Sequence, residues 1–128
     1  MVHMFLNGGG MSDGPLHDKL CGAPKVADAR TAARYRFFSV ADRYPALDAI
    51  DDEADGYAVA GEVYDLPLHV LHDSLLPVEP PELELGVVRM FDGSCALGML
   101  LRRELRGSSE LVDISRFGSW NDYLKTTP

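Results

Sequence analysis

The sequence predicts an α+β domain, and three observations carry that prediction. Five to six short runs read as strands, two or three short stretches read as helices, and no strand–helix alternation lasts long enough for a doubly wound sheet. The 128 residues fit a single domain over 1–128, large enough to bury a core without metal or disulfide. Hydrophobic residues make up 46% and charged residues 25%, which separates the chain from disordered, low-complexity sequences.

The elements follow in order. Residues 2–7 (VHMFLN) are an apolar run that stops at Gly8-Gly9-Gly10, as a buried strand entering an exposed-backbone loop would. Residues 16–21 read as a short helix with Pro15 near its first turn. The aromatic-rich 34–40 is the second strand. Residues 41–55, with Pro45 and the acidic Asp51-Asp52-Glu53, read as a solvated loop. Residues 56–66 are the third strand, where Gly61 marks a bulge or a close backbone approach. Pro67 starts a helix over 68–76, which Pro77, Pro80 and Pro81 end. Residues 82–91 and 94–101 are strands joined by the hairpin signal Asp92-Gly93. Residues 102–113 read as irregular, and Ser119 to Asp122 resembles a capping box opening a short helix through Leu124.

The net charge of −8 is spread evenly: residues 1–64 and 65–128 each carry 6 Lys/Arg and 10 Asp/Glu. No basic run exists to neutralise phosphates, so nucleic acid is not an expected partner. Cys21 and Cys95 are the only cysteines and form no CxxC, which fits free thiols in a reducing compartment. No apolar stretch approaches the ~20 residues of a membrane span, and the opening residues lack a basic signal-peptide region. The expected location is cytoplasmic, without membrane attachment.

Three groups of residues could carry chemistry. Asn7-Gly8-Gly9-Gly10-Met11 follows a buried strand, where free N–H groups can point at a carboxylate or carbonyl. The bland alternative is a tight turn that merely needs glycine; the loop fits neither GxGxxG nor a P-loop. Glu79, with Glu82 and Glu84 behind it, sits in VEPPELELG, where prolines fix the backbone and burial would raise a carboxylate's pKa toward proton-shuttle range. A solvated acidic rim accounts for the same residues. His17 follows the glycine loop, and histidine as a residue type suits proton transfer near neutral pH, although an isolated histidine is more often a surface or capping residue. His69, His72 and Asp73 have no zinc-site signature and read as a solvated helix face, and Cys95 reads as core. No metal or cofactor is expected.

The segment FLNGGGMSDGPLH, residues 5–17, resembles the opening strand, loop and helix of γ-glutamylcyclotransferase-like domains. Its Met-Ser and Pro-Leu are closer to the C-terminal domain of allophanate hydrolases. Residues 29–32 with Tyr35-Arg36, 61–67, Asp92-Gly93 and 113–120 resemble successive pieces of the same domain, in register along nearly the whole chain. Leu75 to Gly86 fits the LLPxEPPELELG segment of stand-alone proteins called allophanate hydrolase-related or γ-glutamylcyclotransferase-like. The resemblance implies a mixed β-sheet or barrel of that fold.

It also implies a chemistry. In allophanate hydrolases an amidase domain releases ammonia, and the C-terminal domain then takes carbon dioxide from the resulting N-carboxycarbamate. A histidine after the glycine loop is implied to serve that step, and His17 stands roughly one position from it. Glu79 and Glu82 occupy what is an apolar, proline-rich stretch in the hydrolases, whereas cyclotransferases use a glutamate near this place. Asn7 replaces the cyclotransferase loop tyrosine.

Three functions therefore stand side by side. The first is an allophanate hydrolase-related hydrolase or lyase that releases carbon dioxide from, or hydrolyses, a carboxylated amide or carbamate nitrogen. The second is a transferase cyclising a γ-glutamyl compound. The third is a non-catalytic partner of a separate amidase. The expected catalytic residues are His17, Glu79 and Glu82; the expected substrate-binding residues are Asn7, Gly8, Gly9, Gly10, Met11 and Tyr35. The expected partners are a small carboxylated substrate, a separate amidase and a second copy in a homodimer.

Overall fold

The computed structural model describes residues 1–12, 14–50 and 55–126. Eight strands form one curled, half-barrel sheet: β1 (Val2–Leu6), β2 (Lys25–Arg30), β3 (Tyr35–Val40), β4 (Tyr44–Ala49), β5 (Ala60–Leu66), β6 (Leu83–Arg89), β7 (Cys95–Leu101) and β8 (Leu111–Asp113). The order is β2-β5-β1-β7-β4-β3-β8, with β6 on β7. This is the expected mixed α+β architecture with more strands than the five to six read from sequence.

The apolar run of β1 lies inside the sheet, between β5 and β7. Met4, Phe5 and Leu6 are all buried although neighbouring side chains on a strand point to opposite faces, so both faces of β1 are covered. Leu20, Leu71 and Leu75 join them in the main core.

Strand β7 sets the shape of the site. β6 pairs along its whole length from Leu83↔Leu101 to Arg89↔Cys95, so β1 and β4 share its other edge. β1 meets it in parallel at Met4↔Leu97 and β4 in parallel at Leu47↔Leu100. The sheet forks there, and the chain leaving β1 emerges beside β4.

Other elements follow local rules. Gly61 is a close approach, since a Cβ there would stand 2.3 Å from the Leu6 carbonyl oxygen. Gly93 turns the β6–β7 hairpin at φ +90°. α1 (Leu68–Val70) continues through a wide turn at Leu71–Leu75 and a tight one at Leu76–Val78 that contains Pro77, so the helical stretch ends before Pro80 and Pro81 and not at Pro77. α2 (Trp120–Leu124) begins at Ser119, whose Oγ accepts from the Asp122 N–H.

Several expectations need correction. Residues 41–55 are not one loop, because β4 lies within them; the Asp51-Asp52-Glu53 cluster falls outside the described residues. Residues 102–113 end in β8, and 16–21 form only a 3-10 turn, His17–Leu20. Cys95 is exposed at the start of β7 and is not core. His69, His72 and Asp73 are exposed, as a solvated helix face requires.

Candidate functional site

The fork between β1 and β4 opens into a cavity of about 360 Å³. Its floor is apolar, with Phe5, Leu83, Met99 and Trp120 among its walls. Among the described residues its polar lining comes from Asn7, the backbone of Gly8–Gly10, Glu79 and Arg43, with Tyr44 and Trp120 as aromatic residues that also carry a polar atom. An apolar hollow with a few convergent polar groups is the ordinary form of a small-molecule site.

The glycine loop is tied from behind through its carbonyls. Met11 N–H donates to Gly8 O (3.1 Å), and Leu16 N–H donates to Gly9 O (2.8 Å). His17 Nδ1 lies 3.1 Å from Gly10 O and, protonated there, donates to it. Among the described residues, the N–H groups of Gly8, Gly9 and Gly10 donate to no backbone carbonyl outside the strand ladders and to no side chain. Gly8 is needed for space and not for left-handed backbone. A Cβ on Gly8 would stand 2.8 Å from the Pro45 ring, which is the cavity wall.

Glu62 fastens the far end of the loop. Its carboxylate accepts from Ser12 N–H (2.7 Å), Ser12 Oγ (2.9 Å), Lys25 Nζ (3.1 Å) and Tyr64 Oη (3.0 Å). Burial pushes its pKa up, but these hydrogen bonds outweigh that, and the group ionises below the usual carboxylate range.

Glu79 is its opposite. Backbone N–H to Leu76 O (3.1 Å) and the following Pro80 fix its position. Its carboxyl has no hydrogen-bond or ion-pair partner among the described residues. Burial alone pushes its pKa up to about 7.

The remaining expected site residues lie elsewhere. His17 is behind the loop, its ring edge-on to Tyr64 at 5.6 Å, and does not line the cavity. Glu82 accepts a short hydrogen bond from Tyr44 Oη and ionises low because of it. It thereby orients a ring that does line the cavity. Burial, and then Glu82, hold the Tyr44 hydroxyl protonated, with its pKa up to about 12. Met11 is buried in the core. Tyr35 is buried away from the cavity, its hydroxyl accepting from Arg89 N–H (2.8 Å). The structure thus gathers Asn7, Gly8–Gly10 and Glu79, and leaves out His17, Glu82, Met11 and Tyr35.

Arg43, Tyr44 and Trp120 are cavity residues that the sequence reading did not single out. Arg43 and Tyr44 lie where β4 was read as loop. Trp120 had a signal, as the first residue after the Ser119 cap and the chain's only tryptophan.

No curated protein matches the chain. The solved structure of c4763, a uropathogenic E. coli-specific protein, is 30% identical and superposes with a TM-score of 0.87 over 99% of this chain and 98% of that one. A Kluyveromyces lactis allophanate hydrolase (S177A) is 23% identical with a TM-score of 0.89, covering 98% of this chain but 21% of its own length. A Mus musculus AIG2-like protein, 15% identical, shares the fold at a TM-score of 0.53 over 86% of this chain and 82% of that one. The family described as the allophanate hydrolase C-terminal domain matches residues 2–125. The chain belongs to the allophanate hydrolase C-terminal domain family.

Proposed function

We propose that the protein is an enzyme that removes carbon dioxide from a small carboxylated amide or carbamate nitrogen, with Glu79 as the proton donor. The observation that carries this reading is Glu79 itself, an unpartnered carboxyl in the same cavity as the free N–H groups of the glycine loop. Its value near 7 keeps much of it protonated near neutrality, so it neither repels an anionic substrate nor lacks a proton to give. The loop N–H groups hold one carboxylate. As the C–N bond to the departing carboxylate breaks, its electron pair stays on nitrogen and Glu79 delivers a proton there. Carbon dioxide leaves, the carbamate remains, and solvent reprotonates Glu79. His17 serves the loop by holding Gly10 O. By the family resemblance an amidase supplies this substrate, and a separate amidase is the partner expected.

One observation favours a second reading. A lone glutamate of raised pKa also suits cyclisation of a γ-glutamyl compound, where it takes a proton from the attacking α-amine and returns it to the leaving amine.

The test is a melting-temperature panel with malonate (standing in for N-carboxycarbamate), pyroglutamate and γ-glutamyl dipeptides, joined to turnover of each substrate class. A ligand at 100 times its dissociation constant adds about 2.7 kcal/mol. Malonate should stabilise the wild type and Glu79→Gln alike. Carbon dioxide release from N-carboxycarbamate, generated in place by an amidase acting on allophanate, should be accelerated by the wild type only. Stabilisation by pyroglutamate or γ-glutamyl compounds alone would transfer the assignment to cyclisation. No response to any of them would overturn both readings.

A further inference from the structure

The turn between β3 and β4 is strained where nothing in the sequence requires it. Ala41 and Asp42 both adopt left-handed backbone, at φ +51° and +58°, and Arg43 N–H closes the turn on Val40 O at 3.0 Å. Hairpins ordinarily give these two positions to Asn-Gly or Asp-Gly, and alanine in left-handed backbone is costly. Such strain persists where surrounding contacts over-determine it, and it clusters at ligand clamps.

The clamping contacts are present. Ser39 Oγ donates to Asp42 Oδ1 (2.8 Å) and accepts from Asp42 N–H (3.0 Å). Tyr123 Oη, from α2, donates to the same Asp42 oxygen (2.6 Å). Ala41 N–H donates to Glu110 O (3.0 Å) beside β8. Two distant segments thus hold one tight turn.

What the turn presents is Arg43. Among the described residues it is the only cationic one lining the cavity, it is exposed, and it forms no ion pair. Its guanidinium stacks loosely above the Tyr44 ring, 5.4 Å from the centroid. Its charge is felt by Glu82 and by the Tyr44 hydroxyl beside it, and no salt bridge ties it to Glu79 or to Glu82. In a chain of net charge −8, an anion entering here has one local source of attraction besides the loop N–H groups.

We infer that Arg43 is the specificity-determining residue of the site, pairing with a second carboxylate of the substrate while the glycine loop holds the first. This inference rests on the carboxylate-cradle reading and narrows its substrate class to small compounds with two anionic groups. A guanidinium suits this task because its planar fork meets a carboxylate in two parallel hydrogen bonds.

The experiment is isothermal titration of malonate and of its monoamide, malonamate, into the wild type, Arg43→Ala and Arg43→Lys. The wild type should bind malonate more tightly than malonamate. Arg43→Ala should lose about 10- to 100-fold in malonate affinity, with malonamate affinity changed less than about threefold. Arg43→Lys should recover part of the malonate affinity, because the charge returns without the fork. Since Arg43 is exposed, both variants should melt close to the wild type. If the wild type binds malonate and Arg43→Ala binds it equally well, the role of Arg43 is refuted while the cradle survives. If the wild type binds neither compound, the cradle reading falls and this inference falls with it.

Discussion

Two glutamates flank the glycine loop, and they have been treated in opposite ways by the fold. Glu62 is 9% exposed, yet four donors surround it and it stays ionised. Glu79 has no partner among the described residues, and burial lifts it to about 7. The difference shows that burial alone does not decide a carboxyl's state; the hydrogen bonds offered to the charged form do. A satisfied carboxylate such as Glu62 is structural, fixing the loop through Ser12. An unsatisfied one such as Glu79 lowers the stability of the ionised fold and is left able to exchange protons.

The two glutamates should differ most in activity. Glu79→Gln should cut turnover by about 10²–10⁴-fold while leaving malonate binding in place, the range of a single positioned acid or base. Steady-state rates alongside titration calorimetry check this. A variant that retains wild-type turnover would leave Glu79 no role.

Glu62→Ala should act on stability. It leaves the Ser12 N–H and the buried Tyr64 hydroxyl without their acceptor and Lys25 with Asp28 alone, at about 2–4 kcal/mol, read from urea denaturation. A loss under about 0.5 kcal/mol would mean that water replaces the carboxylate without cost.

The two glutamates should also give opposite pH dependences. The folded pKa of Glu62 is depressed, so its stabilisation is present above the ordinary value of 4.5 and is lost as pH falls through the folded value. The folded pKa of Glu79 is raised, so protonated Glu79 has no effect below about 4.5, and its ionisation costs stability increasingly up to about 7. Glu79→Gln should therefore match the wild type at pH 4.5 and exceed it by roughly 1–3 kcal/mol at pH 8. Denaturation curves at the two pH values test this, and an equal difference at both would contradict it.

The smallest effect belongs to His17. His17→Ala should cost about 1 kcal/mol, one hydrogen bond to Gly10 O, and weaken malonate binding less than about tenfold without changing the pH profile of turnover. A lost or shifted profile would return His17 to the chemistry.

What could be read in the sequence follows from how loudly each segment declares itself. The β1 run, its glycines, the Asp92-Gly93 hairpin and the Ser119 cap carry strong local signals, and each is found in place. β2 does not: five of its six residues are exposed, so no apolar alternation marks it. β4 was concealed twice. Its turn is Ala41-Asp42 where a glycine pair would have announced a hairpin, and Pro45 argues against an inner strand. Pro45 is tolerated because the ladder to β7 is confined to Leu47↔Leu100, leaving its side of β4 against Gly8. The site divides along the same line. Asn7, Gly8–Gly10 and Glu79 were legible because local glycines and prolines mark them. Arg43 was not, because only the fork at β7 brings it to the cavity. His17 was legible as a neighbour of the loop, but sequence proximity does not tell which side of the loop it takes.

The proposed proton transfer requires Glu79 to titrate near neutrality inside the cavity. Carbon-13 NMR of side-chain-labelled glutamate, followed from pH 3 to 9 in the wild type and in Glu79→Gln, tests it most directly. One carboxyl resonance should show a midpoint at about 7, be absent from the variant and be displaced when malonate binds. If every glutamate in the wild type titrates below about 5, Glu79 is an ordinary carboxylate and the proposed proton transfer has no donor.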